Sequence, residues 1–104
     1  MILRIIIAGA GMAGVAVAKA LQTSHHDVLL LDSDPALTSQ AFQRHGLVTL
    51  EGDATDGAVL REAEVGRADV VVAMLRRDAD NLAVALLAKS SGAHRVMVCL
   101  RDPD

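Results

Sequence analysis

The residues best placed to do chemistry come early in the chain. Gly9-Ala10-Gly11-Met12-Ala13-Gly14 has the spacing G-x-G-x-x-G. It follows a β-branched apolar run over residues 2–8 and opens an Ala- and Val-rich stretch over residues 12–22. The pattern alone is weak; its specificity comes from this strand-turn-helix context. Gly9 permits a tight turn off the strand, Gly11 lets a pyrophosphate approach the backbone, and Gly14 allows close helix–strand packing. Amides of residues 11–13 at the helix start then point at the anion, and the helix dipole favours it. Asp32 lies eighteen residues beyond Gly14, close to the roughly 20 at which an acid bonds the ribose hydroxyls of an adenosine. Its charge opposes a 2′-phosphate, and neither Ser33, Asp34 nor Pro35 is an arginine that would accept one. Adenosine ligands without that phosphate (NAD, NADH, ADP, ATP) are therefore expected over NADP. Ser33 belongs with Asp32 in the candidate site, whereas Asp34 reads as a helix cap.

Two further segments border the same crevice. Gly52-Asp53-Ala54-Thr55 follows the third strand-like run, at the edge where the adenine would lie. Asp53 or the amides of Ala54 and Thr55 could bond the adenine amino edge; equally, Asp53 and Thr55 could cap the next short helix. Met74-Leu75-Arg76-Arg77 follows the fourth run, at the point where the strand order reverses and a pyrophosphate crosses. Arg76 is the candidate phosphate partner there, with Arg77 beside it. A pair of solvated loop residues is the competing reading.

These residues need a sheet whose strands all end on one edge. Apolar runs at residues 2–8, 28–31, 47–50, 69–74 and 95–100 alternate with helical patterns at 12–22, 35–45, 55–63 and 78–90. Asp34 caps and Pro35 opens the second helix, and Gly46 ends it. Asp78 is expected to cap the fourth helix and Gly92 to end it. Such alternation with short loops predicts an α/β fold of Rossmann type: a parallel sheet in the order 3-2-1-4-5, with helices on both faces. Residues 1–104 read as a single domain without linker or repeat. The final Arg101-Asp102-Pro103-Asp104 carries a helix-start signal. The chain is therefore expected to be a piece of a longer protein, cut before a last helix and strand.

Composition excludes several classes. The chain is 52% hydrophobic with Phe42 as its one aromatic residue, which suits thin aliphatic α/β layers. A net charge of −3 and the lack of a basic stripe argue against nucleic acid. No apolar run reaches the roughly 20 residues that span a bilayer, so direct membrane insertion is not expected. Cys99, the single cysteine, cannot form an intrachain disulfide and reads as a small buried apolar group. The four histidines lack metal-ligand spacing.

Taken together, residues 5–14, Asp32-Ser33-Asp34-Pro35, Gly52-Asp53-Ala54-Thr55, residues 73–82 with Asp80-Asn81-Leu82, Leu86-Leu87-Ala88-Lys89 and Arg101-Asp102-Pro103 resemble the TrkA N-terminal domain. This family is also called the RCK or KTN domain, for regulation of potassium conductance and transport. The resemblance implies a cytoplasmic, non-catalytic sensor at the inner face of the membrane. Such a sensor binds NAD or NADH, or else ATP, ADP or AMP, and assembles as a homodimer or larger oligomer. It gates a potassium channel or transporter subunit. The resemblance places the phosphate role on Gly9, Gly11 and Gly14, the ribose role on Asp32 and the adenine-side role on Asp53 and Thr55. The family often carries arginine after the second glycine. Here that position is Met12, so charge neutralisation must come from backbone or from Arg76 and Arg77, and the choice of nucleotide stays open.

Two other functions fit parts of the pattern. One is the cofactor-binding fragment of an NAD-dependent oxidoreductase. The chain has no tyrosine for the Tyr–Lys chemistry of short-chain dehydrogenases, and no other acid–base pair stands out. The other is a nucleotide-free scaffold that keeps the fold alone.

Overall fold

A computed structural model describes residues 1–101 of the chain. The helix-start signal at Asp102-Pro103 lies outside the described residues. Five strands, β1 (Arg4–Ala8), β2 (Asp27–Asp32), β3 (Val48–Glu51), β4 (Val70–Ala73) and β5 (Arg95–Val98), alternate with four helices. The helices are α1 (Met12–Thr23), α2 (Pro35–His45), α3 (Gly57–Glu62) and α4 (Asp78–Ser90). All strand pairs are parallel, and the sheet order is β3-β2-β1-β4-β5, as expected from right-handed crossovers.

Side chains alternate across the sheet and build two aliphatic layers. Ile5, Ile7, Leu30 and Val72 face α1 and α2 through Ala18 and Ala41. Ile6, Ala8, Leu31, Val71 and Ala73 face α3 and α4 through Leu60, Val84 and Ala88. Ala18, Ala41 and Ala88 let α1, α2 and α4 lie close to the sheet, so small aliphatics fill the core without aromatics. Fully burying one Leu or Ile here contributes about 1.5–3 kcal/mol. Central β1 is covered on both faces, and this explains its near-continuous apolar run.

Several local expectations are met closely. Asp34 accepts the Ala36 amide at 2.9 Å, Pro35 opens α2, and Gly46 closes it in the left-handed region at φ 64°. Others need correction. β1 starts at Arg4 rather than Ile2, because its register with β2 begins at Arg4 against Asp27 and its register with β4 at Ile5 against Val70. The third helix starts at Gly57, not Thr55: Asp56 caps it by accepting the Ala58 amide at 2.9 Å. Asp78 is the first residue of α4, not its cap, and its carboxylate accepts the Arg101 amide at 2.9 Å. Cys99 is exposed, not buried, because it follows the end of an edge strand with a single neighbour.

Candidate functional site

The glycine turn sits at the carboxyl edge of the sheet, between the ends of β2 and β4. The Gly9 amide continues the β1–β2 ladder by donating to Leu31 O at 2.8 Å, and the Met74 amide continues the β1–β4 ladder to Ala8 O at 2.7 Å. Two glycines are compelled by this crowding. Gly9 has φ +124°, and a Cβ there would drive into the Met74 carbonyl, 2.6 Å from its carbon. A Cβ on Gly14 would drive into the Gly9 carbonyl, so α1 crosses β1 at backbone contact. Gly11 differs: it is exposed, and a Cβ there would meet nothing within 4 Å. Its role is therefore not imposed by packing.

The start of α1 is open. Gly11 holds the cap position without a side chain, and no acidic residue stands in the first turn. α2 and α3 instead satisfy their first amides with Asp34 and Asp56, and α4 begins with Asp78 and Asp80. Free amides and the positive end of the helix dipole give the α1 terminus the chemistry that favours an anion. Met12, at the first helical position, is 92% exposed. Ala13 is exposed beside it.

Asp32 is half-buried at the end of β2 and ties two segments together. Its Oδ2 accepts the Ala10 amide at 2.8 Å and its Oδ1 accepts the Asp34 amide at 2.9 Å. The carboxylate thus pins the middle of the glycine turn while each oxygen keeps a lone pair for another donor. Ala10 itself is buried, with its amide engaged by Asp32, so it serves the turn's shape. Ser33 is exposed next to Asp32.

The segment after β3 is joined to Asp32 through the backbone, where Gly52 N donates to Asp32 O at 2.9 Å. Asp53 closes its own turn: its Oδ1 accepts from the Thr55 amide at 2.8 Å and the Thr55 hydroxyl at 2.6 Å. The Thr55 hydroxyl, with the Thr55 amide adding to it, holds the Asp53 carboxyl below its ordinary value. Neither residue caps α3, since Asp56 does. Ala54 is buried in the layer under α3 and α4, which leaves only its backbone near the crevice. Arg76 and Arg77 are exposed in the loop after β4, and Arg77 Nε lies 4.0 Å from Asp80 Oδ2. The structure therefore joins Gly9–Gly14, Asp32 and Asp53 on one edge and leaves Arg76 on the rim of the adjoining loop.

One residue of this edge escapes sequence reasoning. Asn81 is fully buried, and its side chain bonds Leu75 and Cys99 across the end of the sheet. In the sequence it is a polar residue on the same helical stripe as Val84 and Ala88 and part of the Asp80-Asn81-Leu82 string, with no role attached to it. Among the described residues, no group of three His, Cys, Asp or Glu could hold a metal ion, and no helix is long and apolar enough to cross a membrane.

Fold and turn together define a Rossmann-type domain of the doubly wound class, with its glycine turn opening on the sheet's carboxyl edge. The chain belongs to the TrkA-N domain family, whose pattern it matches over residues 5–104. It is 37% identical over 102 residues to the Trk system potassium uptake protein TrkA homolog of Archaeoglobus fulgidus. That alignment covers 98% of this chain but 23% of the relative, so the chain spans less than a quarter of that protein. Among solved structures it is similar to the GsuK channel bound to NAD, with TM-score 0.87 and 20% identity over 99% of this chain and 19% of that one. It is also similar to the Kef C-terminal domain of Shewanella denitrificans in its AMP-bound form. There the TM-score is 0.74 and the identity 22%, over 91% of this chain and 56% of that one. At these identities the two structures support the fold.

Proposed function

We propose that this chain is the nucleotide-sensing domain of a potassium transport system. NAD or NADH, or an adenine nucleotide such as ATP, ADP or AMP, binds across the glycine turn. The observation that carries this reading is the open α1 terminus, which has neither a side-chain cap nor an acid in its first turn and stands beside the Asp32 carboxylate. Gly9 and Gly14 shape the turn, while Gly11, Met12 and Ala13 present amides to phosphate. Asp32 accepts from the ribose hydroxyls with Ser33 beside it. Asp53, Ala54 and Thr55 border the adenine, and Arg76 faces phosphate from the switch-point loop.

The membership in the TrkA-N family and the name of the Archaeoglobus relative support potassium transport as the process. The domain acts without catalysis, at the cytoplasmic face, in a homodimer or larger assembly that contacts a potassium channel or transporter subunit. Nucleotide controls that partner only if it binds the two gating states with unequal affinity.

Calorimetric titration with NADH, NAD, ATP, ADP, AMP and NADPH tests the reading. Saturable binding of NADH or an adenine nucleotide, with NADPH much weaker, is the expected result. Absence of binding by all six ligands would overturn the sensor role, and tight NADPH binding would overturn the assignment of Asp32.

A further inference from the structure

Asn81 is fully buried one turn into α4, in a layer otherwise made of aliphatic side chains. Its Oδ1 accepts the Leu75 amide at 2.7 Å. Its Nδ2 donates to Leu75 O at 3.1 Å and to Cys99 O at 3.0 Å. Both amide hydrogens and one acceptor position are thereby used. A carboxylate could not donate to the two carbonyls, an aliphatic side chain could make none of the bonds, and a hydroxyl has a single hydrogen. The choice of asparagine is thus chemically specific.

The segment it grips is the loop that meets the glycine turn. A Cβ on Gly9 would lie 3.1 Å from Leu75 N, and the Met74 carbonyl already presses on Gly9. Arg76 follows directly on Leu75. Asp32, the residue proposed for the adenosine ribose, bonds Ala10 and Asp34 and shares no hydrogen bond with Asn81. In a doubly wound sheet, a dinucleotide continues from the glycine turn across the gap between the first and fourth strands. The far half of such a ligand must therefore pass over the loop that Asn81 holds.

We propose that Asn81 is a positioning residue for the distal half of a bound dinucleotide. By clamping Leu75 between α4 and the end of β5, it holds the loop at the height where its backbone and Arg76 meet the second phosphate and ribose. Asn81 thus sets the preference for dinucleotide over mononucleotide, and this rests on the nucleotide reading above.

Calorimetry on the full chain with NADH and with AMP, paired with thermal unfolding, tests it. Asn81→Ala should weaken NADH by roughly tenfold, the equivalent of about one hydrogen bond of positioning, and leave AMP within about twofold. If that variant does not fold, Asn81→Ser, which keeps one donor and one acceptor, carries the same comparison with a smaller split. Equal losses for both ligands would reduce Asn81 to a structural residue and overturn the proposal. Unchanged NADH affinity in a folded variant would overturn it as well, as would a wild-type chain that binds AMP as tightly as NADH. A wild-type chain that binds neither ligand would instead refute the nucleotide reading itself, and this proposal with it.

Discussion

Replacing Asp32 with alanine should damage both the fold and the site, by amounts the geometry separates. In the fold, the carboxylate accepts two backbone amides, from Ala10 at 2.8 Å and from Asp34 at 2.9 Å. Ala10 is 3% exposed, so its amide is left without a partner and costs about 1–3 kcal/mol. Asp34 is exposed, so water replaces its lost bond at a cost below about 1 kcal/mol. The sum is about 1–4 kcal/mol, and at about 4–8 °C per kcal/mol for a domain of this size the melting temperature should fall by roughly 4–30 °C. On the proposed ribose role, two hydroxyls would lose a charged acceptor, which should remove about 3 kcal/mol of binding and more than about a hundredfold in NADH affinity. Asp34→Ala provides the contrast. It removes the cap of α2, costing about 1 kcal/mol, and should leave NADH affinity within about twofold. Circular-dichroism melts and calorimetry on both variants decide the matter. Equal affinity losses in the two would show that the wrong acid has been assigned. A melting temperature for Asp32→Ala within a degree or two of wild type would show that the Ala10–Asp32 bond does not hold the turn.

Other outcomes follow from the same geometry. Gly11→Ala should fold with a loss of no more than about 1 kcal/mol yet weaken NADH by roughly tenfold, because its Cβ enters the open space before the α1 amides. Gly9→Ala should lose about 3 kcal/mol or more in a denaturant melt, since φ +124° and the Met74 carbonyl both oppose a side chain. Arg76→Ala should leave the melting temperature unchanged and weaken NADH by a few-fold at low salt, with the difference shrinking as salt is added. The Asp53 carboxyl is held below its ordinary value mainly by the Thr55 hydroxyl, so its contribution is present above the unfolded-state value and is lost as pH falls through the folded one. Wild type should therefore exceed Thr55→Val in stability near neutrality, by a small margin because Asp53 is exposed, and that part of the gap should close in acid melts.

Much of this protein is legible in the residues taken in order. Apolar runs alternating with helical patterns determine the α/β class, and the short connections with right-handed crossovers determine the strand order. Asp34-Pro35 and Gly46 bound α2 because capping depends on neighbours within one turn. The spacing from Gly9 to Gly14 and on to Asp32 marks the candidate phosphate and ribose positions for the same local reason: one strand, one turn and one helix suffice to set it. Tertiary structure alone decided the rest. It brought Met74 onto Gly9 and engaged Asp32 with the amide of Ala10. It buried Ala54, exposed Cys99 and turned Asn81 from one more polar helix residue into the clamp on Leu75. Met74 on Gly9, Asp32 on Ala10 and Asn81 on Cys99 join residues distant in the chain, so these contacts exist only once strand order and register have brought the carboxyl ends of β1, β2, β4 and β5 together on one edge.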